Sequence, residues 1–176
     1  AADLDPAVVS LALAPDLPAG DAVRLEAGKM EAEGFLKEVS KETGTLNLYT
    51  NGGVTGKLDL PEAGMRALTL FAGGSPYRGG WPLVEISVNG RVIALVSVTE
   101  KAVRPYSVLA DFPSGKCRMK VAFVNDAAGE GEDRNLFLDA VEVGRKPLKE
   151  GAAEILTIPA AVAVLPSENG GRCVVD

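Results

Sequence analysis

The chain has 176 residues, a formal net charge of −6, and hydrophobic residues at 47% of its positions. This length and composition favour one folded domain with a substantial core and argue against intrinsic disorder. The acidic balance argues against a nucleic-acid-binding protein, which needs a basic face for the phosphate backbone. No apolar run approaches the roughly 18 residues of a membrane-spanning helix, and the first residues lack the basic-then-apolar pattern of a signal peptide.

Histidine is absent from the sequence, which removes the commonest general base, the usual partner of a nucleophilic serine or cysteine, and the commonest zinc ligand. The sequence also lacks the GxxxxGK phosphate-binding loop, GxGxxG after a strand, GxSxG and HExxH. We therefore predict a protein that is not itself an enzyme, although it can be attached to one. A glycosidase is the remaining enzymatic alternative, because its two acids need only the correct separation in space.

The two cysteines, Cys117 and Cys173, form no CxxC motif. In a secreted protein they would form one disulfide, and in a cytosolic protein they would be buried free thiols. We favour the disulfide, because other features of the sequence favour a secreted or extracytoplasmic setting.

The N-terminal part of the chain leads into the main body. Residues 1–20 combine an apolar run with three prolines and are predicted as a linker or an edge strand. Residues 21–27 form the first predicted strand of the body. Residues 28–43 are polar, with apolar side chains at loosely helical spacing, and this leaves a short helix and an irregular crossing as alternatives.

From Gly44 onward, short apolar segments alternate with turn signals, a pattern typical of an all-β sandwich or barrel. Asn89-Gly90 is the strongest hairpin signal, because both residues tolerate the positive φ angles of a two-residue turn. In residues 116–124 apolar side chains alternate with basic ones, so Cys117 and Phe123 are among those predicted to face inward. The predicted strands cover residues 45–50, 54–60, 66–72, 83–89, 91–98, 105–110, 116–124 and 135–143.

If successive strands alternate in direction, their connections divide between the two ends of the sandwich. Turns at 61–64, 89–90 and 111–115 fall at one end, and segments 51–53, 73–82, 99–104 and 125–134 fall at the other. Binding residues commonly lie on loops held by a rigid sheet scaffold. This arrangement predicts that Tyr77 and Trp81 lie within reach of Asp126 and Asp133.

The segment after Val124 is rich in both glycine and acidic residues. Its carboxylates are Asp126, Glu130, Glu132 and Asp133, and they would repel one another without a cation. Calcium suits such a flexible loop, since it takes six to eight oxygen ligands, although the spacing is not that of the helix-loop-helix calcium hand. The alternative is a solvated acidic turn.

Aromatic and polar side chains near this loop are candidates to bind a sugar. Trp81 and Tyr77 offer flat apolar faces to a sugar ring, but Trp81 alternatively caps the core. Arg134 either hydrogen-bonds a hydroxylated ligand or holds neighbouring carboxylates in place. The candidate carbohydrate-binding residues are therefore Trp81, Tyr77, Arg134 and Asn125.

Several short motifs resemble those of the calcium-dependent, xylan-binding carbohydrate-binding modules. The resemblance covers about residues 21–145 and is most specific in Phe-x-Asn-Asp followed by Asp-Arg-Asn-Leu-x-x-Asp. The motifs are Glu26-Ala27, Ala63-Gly64, Trp81-Pro82, Val88-Asn89-Gly90, Ser114-Gly115, Phe123-Val124-Asn125-Asp126 and Asp133-Arg134-Asn135-Leu136 with Asp139.

The resemblance implies a β-sandwich of jelly-roll type with a calcium ion in its end loops that ligates sugar hydroxyls directly. Asp126, Glu132 and Asp133 would lie at that ion. A second, structural calcium would involve Glu26 and Asp139, two carboxylates within strands. Relatives commonly open with Glu-Ala-Glu, whereas Gly28 stands at the position of the second glutamate here.

The sequence thus predicts three regions: residues 1–20, a sandwich at 21–145, and an extension at 146–176 that docks on the sandwich or on a partner. The leading hypothesis is a secreted, non-catalytic module that binds xylan or another β-glycan through calcium. The alternative is a structural or assembly domain that uses calcium only for stability and contacts neighbouring domains or subunits through its terminal extensions. Neither hypothesis involves nucleic acid or a membrane span.

Overall fold

The computed structural model of the protein describes residues 22–33 and 37–147. These residues form two large antiparallel sheets that pack face to face and a small two-stranded sheet, so the predicted all-β sandwich is confirmed. The strands are β1 (Ala22–Glu26), β2 (Glu31–Glu33), β3 (Lys37–Val39), β4 (Leu46–Leu48), β5 (Gly52–Leu60), β6 (Gly64–Ser75), β7 (Leu83–Val88), β8 (Arg91–Ser97), β9 (Arg104–Phe112), β10 (Gly115–Phe123), β11 (Ala128–Gly129), β12 (Glu132–Asp133) and β13 (Asn135–Gly144).

The first sheet has the strand order β3-β4-β13-β6-β9, with β1 also paired to β13, and the second has the order β2-β5-β10-β7-β8. The small sheet consists of β11 and β12. Strands that follow one another in the chain often lie in opposite sheets, as in a jelly roll. In the described part of the chain, β13 is the strand that pairs with three others, because β4 and β1 occupy successive parts of the same edge.

The core lies between the sheets and is built by the alternation of side chains along each strand. In β10, Cys117, Met119, Val121 and Phe123 are all less than 5% exposed, as their alternation with basic residues predicts. Burial of each branched or aromatic side chain contributes about 1.5–3 kcal/mol.

Two segments differ from the sequence-based expectation. Instead of a helix or an irregular crossing, residues 27–33 form a 3-10 turn, Ala27–Lys29, followed by β2, which pairs with β5. Met30 and Ala32 pack against the core from this edge strand. Residues 73–75, predicted as loop, continue β6. Gly73 packs closely against the segment that contains Lys101, since a Cβ on Gly73 would stand 2.5 Å from the Lys101 carbonyl oxygen.

The predicted division of the connections between two ends is confirmed. At the end with the tight turns, Arg91 donates to the Asp111 carbonyl oxygen at 3.1 Å, joining two of those turns. At the opposite end, Asn51 accepts a hydrogen bond from the backbone N–H of Asp126 at 2.8 Å. We call the end with the tight turns the turn end and the end with the longer connections the loop end.

Arg66 is fully buried at the turn end, although it carries a positive charge. Its guanidinium donates to the backbone carbonyl oxygens of Glu62, Gly144 and Arg145, which ties the 61–63 turn to the end of β13. Burial lowers the pKa of Arg66, since desolvation disfavours the charged form. The side chain is therefore an internal tie between backbone segments.

Several predictions fall outside the described residues, namely those on residues 1–20 and on the extension beyond residue 147. Cys117 is buried in β10, and burial raises the pKa of its thiol, whereas its predicted partner Cys173 lies outside the described residues. Among the residues described, no helix has the length and hydrophobicity needed to cross a membrane.

We expect Arg66→Met to lower the free energy of unfolding by about 3 kcal/mol, because three buried carbonyl groups lose their donor. Urea unfolding followed by far-UV circular dichroism measures this loss. Arg91→Met is the matched control, since its exposed ion pair with Asp111 contributes at most about 1 kcal/mol. Equal losses in the two variants would contradict the role assigned to Arg66.

Candidate functional site

The loop end carries most of the residues singled out from the sequence. Its most acidic part is a small hairpin in which Ala128 pairs with Asp133 and Gly129 with Glu132. Glu130 and Gly131 form its turn with φ angles of 54° and 83°, the values of a type I′ turn. Glu132 and Asp133 are adjacent in one strand, so their side chains point to opposite faces of the hairpin.

One face of the hairpin is held by Arg78. The backbone N–H of Arg78 donates to Glu132 at 3.0 Å, and its guanidinium forms an ion pair with Glu130 at 3.0 Å. Arg78 itself lies in a second turn of this type, with φ of 48° and then 77° at Gly79. Glu130 and Glu132, both predicted as calcium ligands, thus contact Arg78, Glu130 through the guanidinium and Glu132 through the backbone N–H.

Tyr77 supports the same contact between the two turns. The Arg78 guanidinium lies 5.3 Å from the centre of the Tyr77 ring, within the range of a cation–π interaction. A Cβ on Gly129 would stand 3.0 Å from the Tyr77 hydroxyl oxygen, so the hairpin and the tyrosine pack closely. One face of this aromatic ring is therefore covered by arginine.

The other face of the hairpin brings Asp133 towards Asp126. Burial raises the pKa of Asp126, and the negative charge of Asp133 raises it further. The Asp126 Oδ1 atom is buried and has no hydrogen-bond partner. A buried carboxylate oxygen without a donor is costly and is usually explained by an ion or a functional role. These two acids form the part of the predicted cluster that has the chemistry of a cation site.

The backbone around this acidic pair is firmly held. The Asn51 side chain accepts from the Asp126 backbone N–H at 2.8 Å. The Ser75 hydroxyl donates to the Asp133 carbonyl oxygen at 2.6 Å and accepts from the Asn135 backbone N–H at 3.0 Å. The loop is therefore fixed by side chains from β6 and from the loop before β5.

Arg134 is the central tie of the loop end. Its guanidinium donates to the carbonyl oxygens of Gly80 at 2.8 Å and Tyr77 at 3.2 Å, and also to that of Asn125. A Cβ on Gly80 would stand 2.5 Å from the Arg134 Nη2 atom, so a larger residue at this position would have to displace the guanidinium. Arg134 therefore binds backbone carbonyl groups. The two roles predicted from the sequence were a contact with a hydroxylated ligand and the binding of neighbouring carboxylates.

Asn125 has a comparable positioning role. Its side-chain oxygen accepts from the Leu83 backbone N–H at 2.7 Å, and its amide nitrogen donates to the Trp81 carbonyl oxygen at 3.0 Å. Both ends of the amide are thus used inside the protein. Trp81, held at its backbone by this bond, is half-buried and does not belong to the core cluster.

Glu26 and Asp139, the predicted ligands of a second ion, lie away from the loop end and each contacts a basic side chain. Glu26 forms an ion pair with Lys29 at 2.6 Å, and Asp139 forms one with Arg24 at 2.7 Å. Each carboxylate is thus paired with a basic side chain in the described structure, and the pKa of Glu26 is lowered by Lys29 and, to a smaller extent, by the charge of Arg24. Within residues 22–33 and 37–147, no three acidic, cysteine or histidine side chains form a group able to hold a metal by themselves.

A protein-family model matches residues 67–157, just over half of the chain. The family, CBM60, is described as a calcium-dependent, xylan-binding carbohydrate-binding module. The chain belongs to this family. The resemblance stated from the sequence motifs is therefore confirmed, and with it calcium-dependent, xylan-binding carbohydrate recognition as the function of the family.

The fold of this CBM60 module is similar to that of several solved carbohydrate-binding modules. A family 36 module in complex with calcium and xylotriose is 16% identical, with a TM-score of 0.61, and the match covers 69% of this chain and 99% of that one. A family 36 domain of a multidomain xylanase from the hindgut metagenome of Trinervitermes trinervoides is 14% identical, with a TM-score of 0.61 over 73% and 100% of the chains. A family 35 module from Clostridium thermocellum is 13% identical, with a TM-score of 0.53 over 70% and 98%. A search of curated proteins gave no match.

Sequence reasoning missed two polar residues that hold the backbone of the acidic pair, Asn51 and Ser75. The alternation of strand directions places Asn51 at the correct end, and this was the available signal. Ser75 gave no signal, because the sequence predicts a loop at residues 73–75, whereas these residues continue β6.

Asp126→Asn is expected to abolish calcium binding at the loop end and to leave the calcium-free module at least as stable as the parent, because asparagine has no charge to desolvate. The pKa of Asp126 is raised in the folded state, so folding favours its protonated form, and stability falls as pH rises through this raised pKa. Asparagine removes that loss. Thermal unfolding in chelator at several pH values measures it, with Asp111→Asn at the turn end as control. A calcium-free variant less stable than this control would contradict the prediction.

Arg134→Lys is expected to weaken calcium binding roughly 10-fold or more, because lysine keeps the charge but cannot hold three carbonyl groups with a planar fork. Calorimetric titration with calcium measures the affinity. Arg91→Lys at the turn end is the matched control. Unchanged calcium affinity in a correctly folded Arg134→Lys variant would show that the loop is held in other ways.

Proposed function

We propose that the module binds xylan without catalysing a reaction, through one calcium ion held by Asp126 and Asp133. The observation that carries the proposal is the buried, unpartnered Oδ1 atom of Asp126 beside the charge of Asp133. Family membership and the fold shared with a module in complex with calcium and xylotriose support the same conclusion.

These two carboxylates fit calcium, which takes six to eight oxygen ligands in a flexible geometry. Two acidic side chains supply only part of that number, so further positions remain for backbone oxygens, water and sugar hydroxyls. When bound, calcium would supply open coordination positions for two adjacent hydroxyls of the glycan. Glu130 and Glu132, occupied by Arg78, act in this proposal as anchors of the hairpin.

The remaining residues of the loop end keep the acidic pair in place before the ligand arrives. Arg134 fixes the carbonyl groups of three loop residues, and Asn125 joins the acidic loop to Trp81 and Leu83. A loop ordered in advance loses less conformational entropy on binding, which increases affinity. We therefore assign Arg134 and Asn125 to positioning rather than to direct sugar contact.

Trp81 is the favoured stacking residue. It is half-buried and lies outside the core cluster, and its backbone is hydrogen-bonded to the residue before Asp126. Tyr77 is less suitable, because Arg78 covers one face of its ring. An aromatic face beside a hydroxyl-chelating ion suits a sugar ring, which has both apolar CH groups and hydroxyls.

We place the module in a secreted or extracytoplasmic setting, where calcium and plant polysaccharide would be available and where Cys117 and Cys173 would form a disulfide. The absence of histidine from the sequence and the arrangement of the acids around one cation site support a role without catalysis. Attachment to an enzyme is compatible with this role, since a related domain belongs to a multidomain xylanase.

The direct test is binding to soluble xylan by affinity electrophoresis or calorimetry, in calcium, in chelator, and after calcium is restored. We expect binding in calcium, loss of detectable binding in chelator, and full recovery. Asp126→Ala should abolish binding and Trp81→Ala should weaken it at least about 10-fold, whereas Asp111→Ala at the turn end should have no effect. Xylan binding that persists after complete removal of calcium would refute the proposal, as would calcium-dependent unfolding without any glycan binding.

A further inference from the structure

Arg24 occupies the position at which β1 joins the central strand β13. It pairs across the ladder with Glu142, and its guanidinium forms ion pairs with Glu142 at 2.9 Å and with Asp139 at 2.7 Å. The guanidinium carbon also lies 4.8 Å from the centre of the Phe71 ring in β6. One side chain thus connects three strands of the sheet.

A bulge explains why two carboxylates of β13 meet at this point. The register with β6 shifts between Leu138 and Ala140, so Asp139 is an extra residue. Side chains three positions apart in a regular strand point to opposite faces, but an inserted residue brings Asp139 and Glu142 to the same face. The inward pattern changes accordingly, from Leu136 and Leu138 before the bulge to Val141 and Val143 after it.

Two carboxylates on one face of a strand require a positive charge. The family resemblance implies a structural calcium involving Glu26 and Asp139, but these residues do not fit an ion here. Glu26 is bound by Lys29, and the hydrogen bond and charge of Lys29 lower the pKa of Glu26. Asp139 is bound by Arg24, and the second glutamate of the usual Glu-Ala-Glu opening is Gly28.

We propose that Arg24 replaces the structural calcium ion in this module, so that its sheet is held together by a guanidinium. This inference goes beyond the proposed function and does not depend on it. A guanidinium suits the task, because its planar fork donates to two carboxylates at once and remains charged at any physiological pH. It also lies against an aromatic ring, which a hydrated calcium ion would not do as readily.

The number of bound calcium ions and the melting temperature each test this inference, and the two can be measured separately. We expect calorimetry or native mass spectrometry to show no calcium ion that depends on Asp139. Arg24→Gln should lower the melting temperature in chelator on the order of 3–5 °C. Arg91→Gln is the matched control, because its guanidinium contacts the one carboxylate of Asp111 at 3.3 Å. Arg24→Lys should give a smaller loss, since it keeps the charge without the fork.

The outcomes also distinguish this inference from the proposed function. A second bound calcium ion that survives Asp126→Asn and disappears in Asp139→Asn would overturn the inference, as would an Arg24→Gln variant that in chelator melts no lower than the Arg91→Gln control. One ion that disappears in Asp126→Asn supports both proposals. A module that binds no calcium would support the replacement by Arg24 and refute the calcium site at the loop end.

Discussion

The loop end depends on one interaction, the donation of hydrogen bonds from Arg134 to three backbone carbonyl groups. Tyr77, Gly80 and Asn125 belong to two different loops, and the guanidinium between them fixes the distance at which those loops face each other. Without such a donor, buried carbonyl groups would lose hydrogen bonds. The close approach of Gly80 to the arginine shows that both loops are shaped around this side chain.

A balance of charge then determines where a cation is needed. Arg78 forms an ion pair with Glu130, and Arg24 forms ion pairs with Asp139 and Glu142. Burial and the charge of Asp133 raise the pKa of Asp126, while the charge of Arg134 acts in the opposite direction. Asp126 still has a buried carboxylate oxygen without a hydrogen-bond partner, and this is why the proposed calcium ion is placed there rather than at Glu130.

Much of the fold was predictable because apolar and polar residues alternate along a strand that has one buried face. β10 and β7 bury every second residue, and the Asn89-Gly90 turn has the positive φ angles that its sequence favours. The end of the sandwich at which Trp81 and Asp126 meet also followed from strand direction. The contacts of the individual acids could not be predicted from the sequence. Whether Glu132 faces Arg78 or Asp126 depends on the pairing of a two-residue strand. The bulge at Asp139 could not be predicted either, because it depends on how β13 pairs with β6.

The pairing of β1 with β13 has a consequence for how the module is carried. Ala22 lies opposite Gly144, so the polypeptide enters and leaves the described sandwich side by side, at the pole farthest from the acidic pair. The two points at which the chain enters and leaves the described sandwich thus share the turn end. The loop that carries Asp126 and Asp133 lies at the other end.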